Sequence, residues 1–271
     1  MCLLATGCAT AQRDAPAARL YLQALHAALD GIEADLPAIT ASADAAAERY
    51  LDPRSALGVH VDVGFFREAV DRSGGVMRVN SVNHAANAAG VVLYCVNDAT
   101  LDKDLAGLKY PIKQGAMVIA FGRDEQLEAL RARDVDVSAW ISCHAPRGQG
   151  LFVSDGGERI IPVHRAANIA AMWVWTGEFV AALTRRGRMP PMYQGFAVPG
   201  GRERLDRIGR GTKFHEQEPI PVEAGVVGRA FLKALRADLA KVEAHELPNV
   251  RAAAERIEHA RNHSVEPGSD D

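Results

Sequence analysis

Apolar and polar positions change period several times along the chain, and each change marks an element. From Arg19 to Tyr50 apolar residues recur at helical spacing, through Leu22, Leu25, Leu29, Ile32 and Leu36, until Pro37 interrupts them. That predicts two helices, or one with a break. "ALGVHV" (56–61) is a short β-favouring run, "GFFREAVDRSGG" a helix closed by glycines, and "VMRVNSV" the next strand. "VVLYCV" and "AMVIAFG" are near-continuous apolar strands, "RDEQLEALRARD" is a helix with an acidic start, and "VSAWISC" is a further strand. Apolar runs alternating with amphipathic helices mark a parallel sheet covered on both faces. The expected fold is therefore α/β: a three-layer α/β/α sandwich with a parallel, flavodoxin-like sheet of about five strands, plus N- and C-terminal helices.

The same patterning divides the chain. Residues 1–18 read as a flexible N-terminus, 19–188 as the sheet-forming domain and 189–226, rich in Pro and Gly, as an irregular arm. Within the domain, "RAANIAAMWVWTGEFVAALTRRG" (165–187) is one long, mostly apolar helix, whose Trp173 and Trp175 read as core or dimer-contact residues. Residues 227–260 form a last helical segment, and the polar, acidic end, 261–271, reads as disordered. That last segment repeats the first. "RLYLQALHAALDGIEA" from Arg19 matches "RAFLKALRADLAKVEA" from Arg229, and "DLPAITASADAA" then matches "ELPNVRAAAERI" after a one-residue shift. Leu22/Leu232, Leu25/Leu235, Leu29/Leu239, Glu33/Glu243 and Pro37/Pro248 are identical pairs. Amphipathicity alone would supply some of them, but not the shared Glu-Ala followed by Leu-Pro.

Composition narrows the function. A chain of 271 residues, 48% hydrophobic, buries a full core, and a net charge of −3 leaves no basic face to displace the counterions of a nucleic acid. "TRRGR" at 184–188 is too short to change that and reads as a solvated helix end. The four cysteines, Cys2, Cys8, Cys95 and Cys143, form no CxxC pair, so no metal site is expected, and no motif calls for a cofactor. No segment reads as long and apolar enough to span a membrane. "MCLLATGCATAQ" ends an apolar run in Ala-Thr-Gly-Cys, which resembles the lipobox at which bacterial lipoproteins are lipidated, here on Cys8. The apolar run is short and lacks a basic lead, so two readings stay open: a lipid-anchored or periplasmic protein, or a chance match in a cytoplasmic one.

A helical pair leading into strand, helix and strand, then "VVLYCVND" with "IKQGAMVIAFG", resembles the sugar isomerase (SIS) domain, and "NIAAMWVWTGEFVAALTRRGRMPPMY" is similar to the long helix of its single-domain members. The resemblance covers roughly residues 20 to 195. It implies a sugar or phosphosugar ligand at the carboxyl ends of the strands, held in that family by a Ser-rich loop, and pairing of domains, here as a homodimer. In this chain the loop reads Val96-Asn97-Asp98-Ala99-Thr100, with Asn97, Asp98 and Thr100 as ligand contacts. Asp62 and Gly64 after the first strand, and Asn83 and His84 in "SVNHAANAAG", complete the expected binding set. Asp98 and Asp62 would place carboxylates beside a phosphate, so a neutral sugar or an amide-bearing ligand suits this loop better.

Aldose–ketose isomerisation needs a base and an acid, and Glu178 and His60 are the candidates, with no turnover of common phosphosugars expected from a loop lacking phosphate donors. Against this stands a non-catalytic structural or regulatory module, in the lipid-anchored case one of the bacterial envelope. Glu178 would then be an ordinary residue on the exposed face of the helix, and the histidines at strand ends would serve only to meet solvent.

Overall fold

Valine and isoleucine runs built for a doubly covered sheet settle the architecture. The computed structural model describes residues 16–60, 64–97, 101–148, 150–153, 157, 159–195, 198–208, 212–215 and 218–263. Two helices, α1 (Pro16–Ala34) and α2 (Leu36–Tyr50), lead into β1 (Leu57–Val59), α3 (Phe65–Asp71), β2 (Val79–Ser81) and α4 (Val82–Ala85). Then come β3 (Val91–Cys95), α5 (Leu101–Lys113), β4 (Met117–Gly122), α6 (Asp124–Arg131) and β5 (Ala139–Ser142). A short hairpin, β6 (Phe152–Val153) with β7 (Arg159–Ile160), precedes the long α7 (Val163–Arg185), and α8 (Gly201–Ile208), α9 (Val226–His245) and α10 (Leu247–His263) complete the order.

The five-stranded sheet runs β2-β1-β3-β4-β5, every pair parallel. This is the flavodoxin-like order, with its switch point between β1 and β3. Alternation along the strands decides which layer each residue joins. Val91, Leu93 and Cys95 of β3, with Ile119 and Phe121 of β4, face the core built by α2, α3, α7 and α9. Val92, Tyr94 and Val96, with Val118 and Ala120, face the smaller core under α4, α5 and α6.

Alpha-7 is the spine of the first layer. Its Ala170, Ala171 and Ala182 are small enough to let α2 approach through Ile39, Ala43, Ala46 and Ala47, while Trp175 is fully buried, stacked on Phe179 at 5.1 Å and donating to the Ser42 hydroxyl at 3.1 Å. By length and composition α7 is long and apolar enough to cross a membrane, contrary to the sequence expectation, but 67% of that stretch is buried inside the domain, as befits a core helix. At its end the basic run is tied down: Arg185 and Arg186 both pair with Asp44 of α2, at 2.9 and 2.8 Å, and Arg186 reaches Glu48 at 3.1 Å. The helix end is thus held by ion pairs, where its sequence alone suggests only solvent.

The two halves of the repeat are both broken helix pairs. Alpha-1 ends at Ala34 and α2 opens Leu36-Pro37, and α9 ends at His245 and α10 opens Leu247-Pro248. A proline in the first turn gives up no intrahelical bond but cannot continue the preceding helix. Leu232 of α9 is fully buried in the core, and Leu235 and Leu239 pack against it. The apolar stripe of α9 is thus largely covered within the chain, with Val242 left exposed. The arm is not wholly irregular, since it contains α8, and its Lys213 donates to the carbonyls of Asp52 and Ser55 at 2.7 and 3.0 Å.

Candidate functional site

At the switch point the chain leaves β1 toward one layer and β3 toward the other, and the gap between them opens at the carboxyl ends of the strands. A small cavity of about 40 Å³ lies there, lined by Gly64 and Phe65 after β1, Cys95, Val96 and Asn97 at the end of β3, and His164, Arg165, Asn168 and Ile169 on the first turns of α7. That is room for about one water, so it fits the end of a ligand and not a whole sugar.

Three elements fix these groups. At the end of β3 the buried carboxylate of Asp104, in the first turn of α5, accepts the Asn97 N–H at 2.7 Å and lies 3.4 Å from the Tyr94 hydroxyl. Burial, with Asp104 second, pushes Tyr94 well above the usual phenol range. At the end of β4, Arg123 is buried, donates to the Gly148 carbonyl and pairs with Glu125 at 3.0 Å. On α7, Asn168 is 2% exposed and its amide nitrogen lies 3.5 Å from the Cys95 sulfur, while its Oδ1 is buried with no partner among the described residues.

His164 beside it carries a pKa pushed down to about 4, chiefly by burial and then by the charges of Arg123 and Arg165. The folded chain takes this proton near pH 4 and the unfolded chain near 6.5, so between those values the unfolded chain binds more protons. The neutral imidazole's contribution is complete above about pH 6.5 and is lost as the pH falls to about 4. Urea unfolding followed from pH 7 to pH 4 should show the wild type losing up to about 3 kcal/mol more than His164→Gln. Parallel profiles would remove His164 as the cause.

The sequence-derived candidates are only partly brought together. Gly64 and Asn97 line the cavity. Asp62, Asp98 and Thr100 lie outside the described residues, as do Cys2 and Cys8. His60 follows β1 but its ring stacks on Tyr94 at 3.9 Å, on the α5 side of the sheet. Asn83 and His84 are exposed on α4, past the edge strand β2, and do not line the cavity.

Glu178 sits ten residues beyond Asn168 on α7, about 15 Å along the axis. It is fully buried there, accepting the N–H groups of Gly225 and Gly228 at 2.7 Å each and the Thr40 hydroxyl at 3.3 Å. Gly225 opens α9 with φ +78, a conformation that favours glycine. A Cβ on Gly228 would stand 2.6 Å from Leu36 Cδ1. That Cβ would also stand 3.2 Å from Glu178 Oε1, so the close approach of α9 to the carboxylate favours glycine.

Asp104, Arg123, Arg165 and Asn168 escaped the sequence reading. Asp104 and Arg123 carried a signal, an acid in a first helical turn and a cation directly after an apolar strand; Asn168 entered only as the first residue of the segment that resembles the family's long helix. A second, larger hollow of about 800 Å³ lies between α7, the arm and α9, walled by Trp173, Val180, Met189, Met192 and Phe231. Its size exceeds that of the switch-point cavity, but its walls are mainly apolar and no strand end borders it, whereas the buried His164 and Asn168 line the smaller one at the strand ends. Among the described residues no group of three or more His, Cys, Asp or Glu is placed to hold a metal ion.

No family model and no curated protein matches the chain. Among solved structures, it is similar to the C-terminal domain of glucosamine-fructose-6-phosphate aminotransferase from Francisella tularensis, at 12% identity and a TM-score of 0.34, over 57% of this chain and 42% of that one. The match thus spans less than half of the neighbour's length, and at this TM-score it transfers no role to any residue here.

Proposed function

We propose that this chain is a SIS-like protein that binds a sugar derivative at the carboxyl edge of its sheet, through Asn97, Asp98 and Thr100 after β3 and Asp62 and Gly64 after β1. The observation that carries the reading is the cavity at the β1/β3 switch point, where a parallel sheet of this order takes its ligands. The Asn97 side chain and the Asn168 carboxamide supply the hydrogen-bonding groups that hydroxyls require. In a thermal-shift panel of glucose, glucosamine and their 6-phosphates, at least one should raise the melting temperature, and Asn97→Ala with Thr100→Ala should abolish the shift while circular dichroism stays unchanged. A shift that survives the double substitution would move the ligand elsewhere.

If turnover occurs, His60 and Glu178 are separate candidates and not a pair, since they lie on opposite sides of the sheet, and the homodimer remains part of the proposal. A second reading, a non-catalytic structural or regulatory module, is favoured by one observation: the Glu178 carboxylate is already engaged by two backbone N–H groups. Such a carboxylate is not free to shuttle a proton.

A further inference from the structure

The switch-point cavity has two sides of opposite electrostatic character. On the β3 side the buried Asp104 carboxylate takes the Asn97 N–H, so the loop that would face a ligand's anion is backed by negative charge and has lost one of its donors. An oxyanion there would be repelled, not held.

On the α7 side the character reverses. Alpha-7 runs 23 residues, its N-cap is Pro162 with no side-chain cap, and its first turn holds no acid. The first N–H groups of such a helix have no intrahelical partner and carry the positive end of its dipole. Arg165 lies in that turn, lines the cavity, is exposed, and makes no ion pair among the described residues. Arg123, the other nearby cation, is spent on Glu125 and the Gly148 carbonyl. One turn further in, Asn168 lines the same cavity, almost completely buried, with an oxygen lacking a partner among the described residues. Only with the carboxamide turned, Oδ1 toward the Cys95 thiol and Nδ2 toward the cavity, does it donate to an oxyanion, and the two orientations differ only in which amide atom meets the sulfur.

We propose that the N-terminal end of α7 is an oxyanion site, which holds a phosphoryl group between Arg165, the first-turn N–H groups and the Asn168 carboxamide. It rests on the sugar-derivative reading for the rest of the ligand and makes that ligand a phosphorylated one, anchored on α7 and not on the loop after β3. The cavity takes the terminal group at its mouth and the remainder extends past Asn97. His164 titrates low chiefly because it is buried, and the charges of Arg123 and Arg165 push it the same way, with Glu125 opposing. A bound anion would offset those two charges.

The test is calorimetric titration of the full chain with inorganic phosphate, glucose and glucose 6-phosphate at pH 7, with His164 followed by NMR from pH 7.5 to 4.5. Phosphate should bind saturably, and His164 should begin to protonate at higher pH in its presence. Arg165→Gln should weaken phosphate by about tenfold or more and remove the His164 response, and Arg165→Lys should restore part of both. Phosphate binding unchanged in Arg165→Gln, or no saturable phosphate binding by the wild type, would overturn the site. If glucose 6-phosphate binds no tighter than phosphate, the oxyanion site stands and the sugar reading fails. If it binds through Asn97 and is indifferent to Arg165→Gln, the sugar reading stands and the oxyanion site fails.

Discussion

Glu178→Ala should lower the unfolding free energy by about 4 kcal/mol, because it strands three donors that now share one buried carboxylate. Each buried donor left without an acceptor costs about 1–3 kcal/mol. Relaxation around the vacated side chain would offset part of the sum. For a chain of this size the loss corresponds to a fall in melting temperature of about 10 °C. The location of the damage matters as much as its size. Hydrogen exchange should quicken first at Gly225 and Gly228 and through the first turns of α9, while β3 and β4 stay protected. If the variant melts like the wild type but loses a sugar-dependent activity, Glu178 is a catalytic residue and not the seat of α9.

Ending the chain at Gly225 should have a still larger effect. The cut removes Leu232 from the core, takes away the Gly228 donor, and uncovers Val174 and the rest of the α7 face that α9 packs. An apolar face of that extent opened to water drives association. The truncated chain should bind a hydrophobic dye, lose its cooperative transition and aggregate, whereas the full chain should scatter light as a homodimer at micromolar concentration. A truncated chain that unfolds cooperatively would make α9 an appendage, and a full chain that scatters as a monomer would remove the dimer from the proposal.

How far the sequence could be read depends on how local each signal is. "VVLYCV" and "AMVIAFG" could only be buried strands, and both take the expected places at the centre of the sheet. The edge strand was harder: "VMRVNSV" shrinks to Val79–Ser81, because only that stretch pairs with β1, while Val76 and Met77 pair instead with Met192 and Pro191 of the arm. Alpha-8 was missed for lack of apolar periodicity, since "GRERLDRI" buries little beyond Gly201. The site was the least legible part. Nothing around Asn168 in sequence says that its carboxamide will meet Cys95, 73 positions earlier, as that proximity exists only once α7 lies across the ends of the strands. The surroundings of Glu178 were hidden for a related reason. A lone acid in an apolar helix signals a special role, but its partners are backbone groups of Gly225 and Gly228, which no side-chain motif announces.

The Glu178 junction also constrains when the molecule can finish folding. Its acceptor sites join α2, through Thr40, 138 positions before Glu178, to the start of α9, 47 positions after it. Contacts of such separation are late events, since the chain must close long loops before any of them is rewarded. On the ribosome the sheet and α7 can assemble as they emerge, but the slot for Leu232 stays open until α9 is clear of the exit tunnel. Until then the nascent chain carries a buried-type carboxylate without its donors and an open apolar seam, the state in which chaperones would meet it.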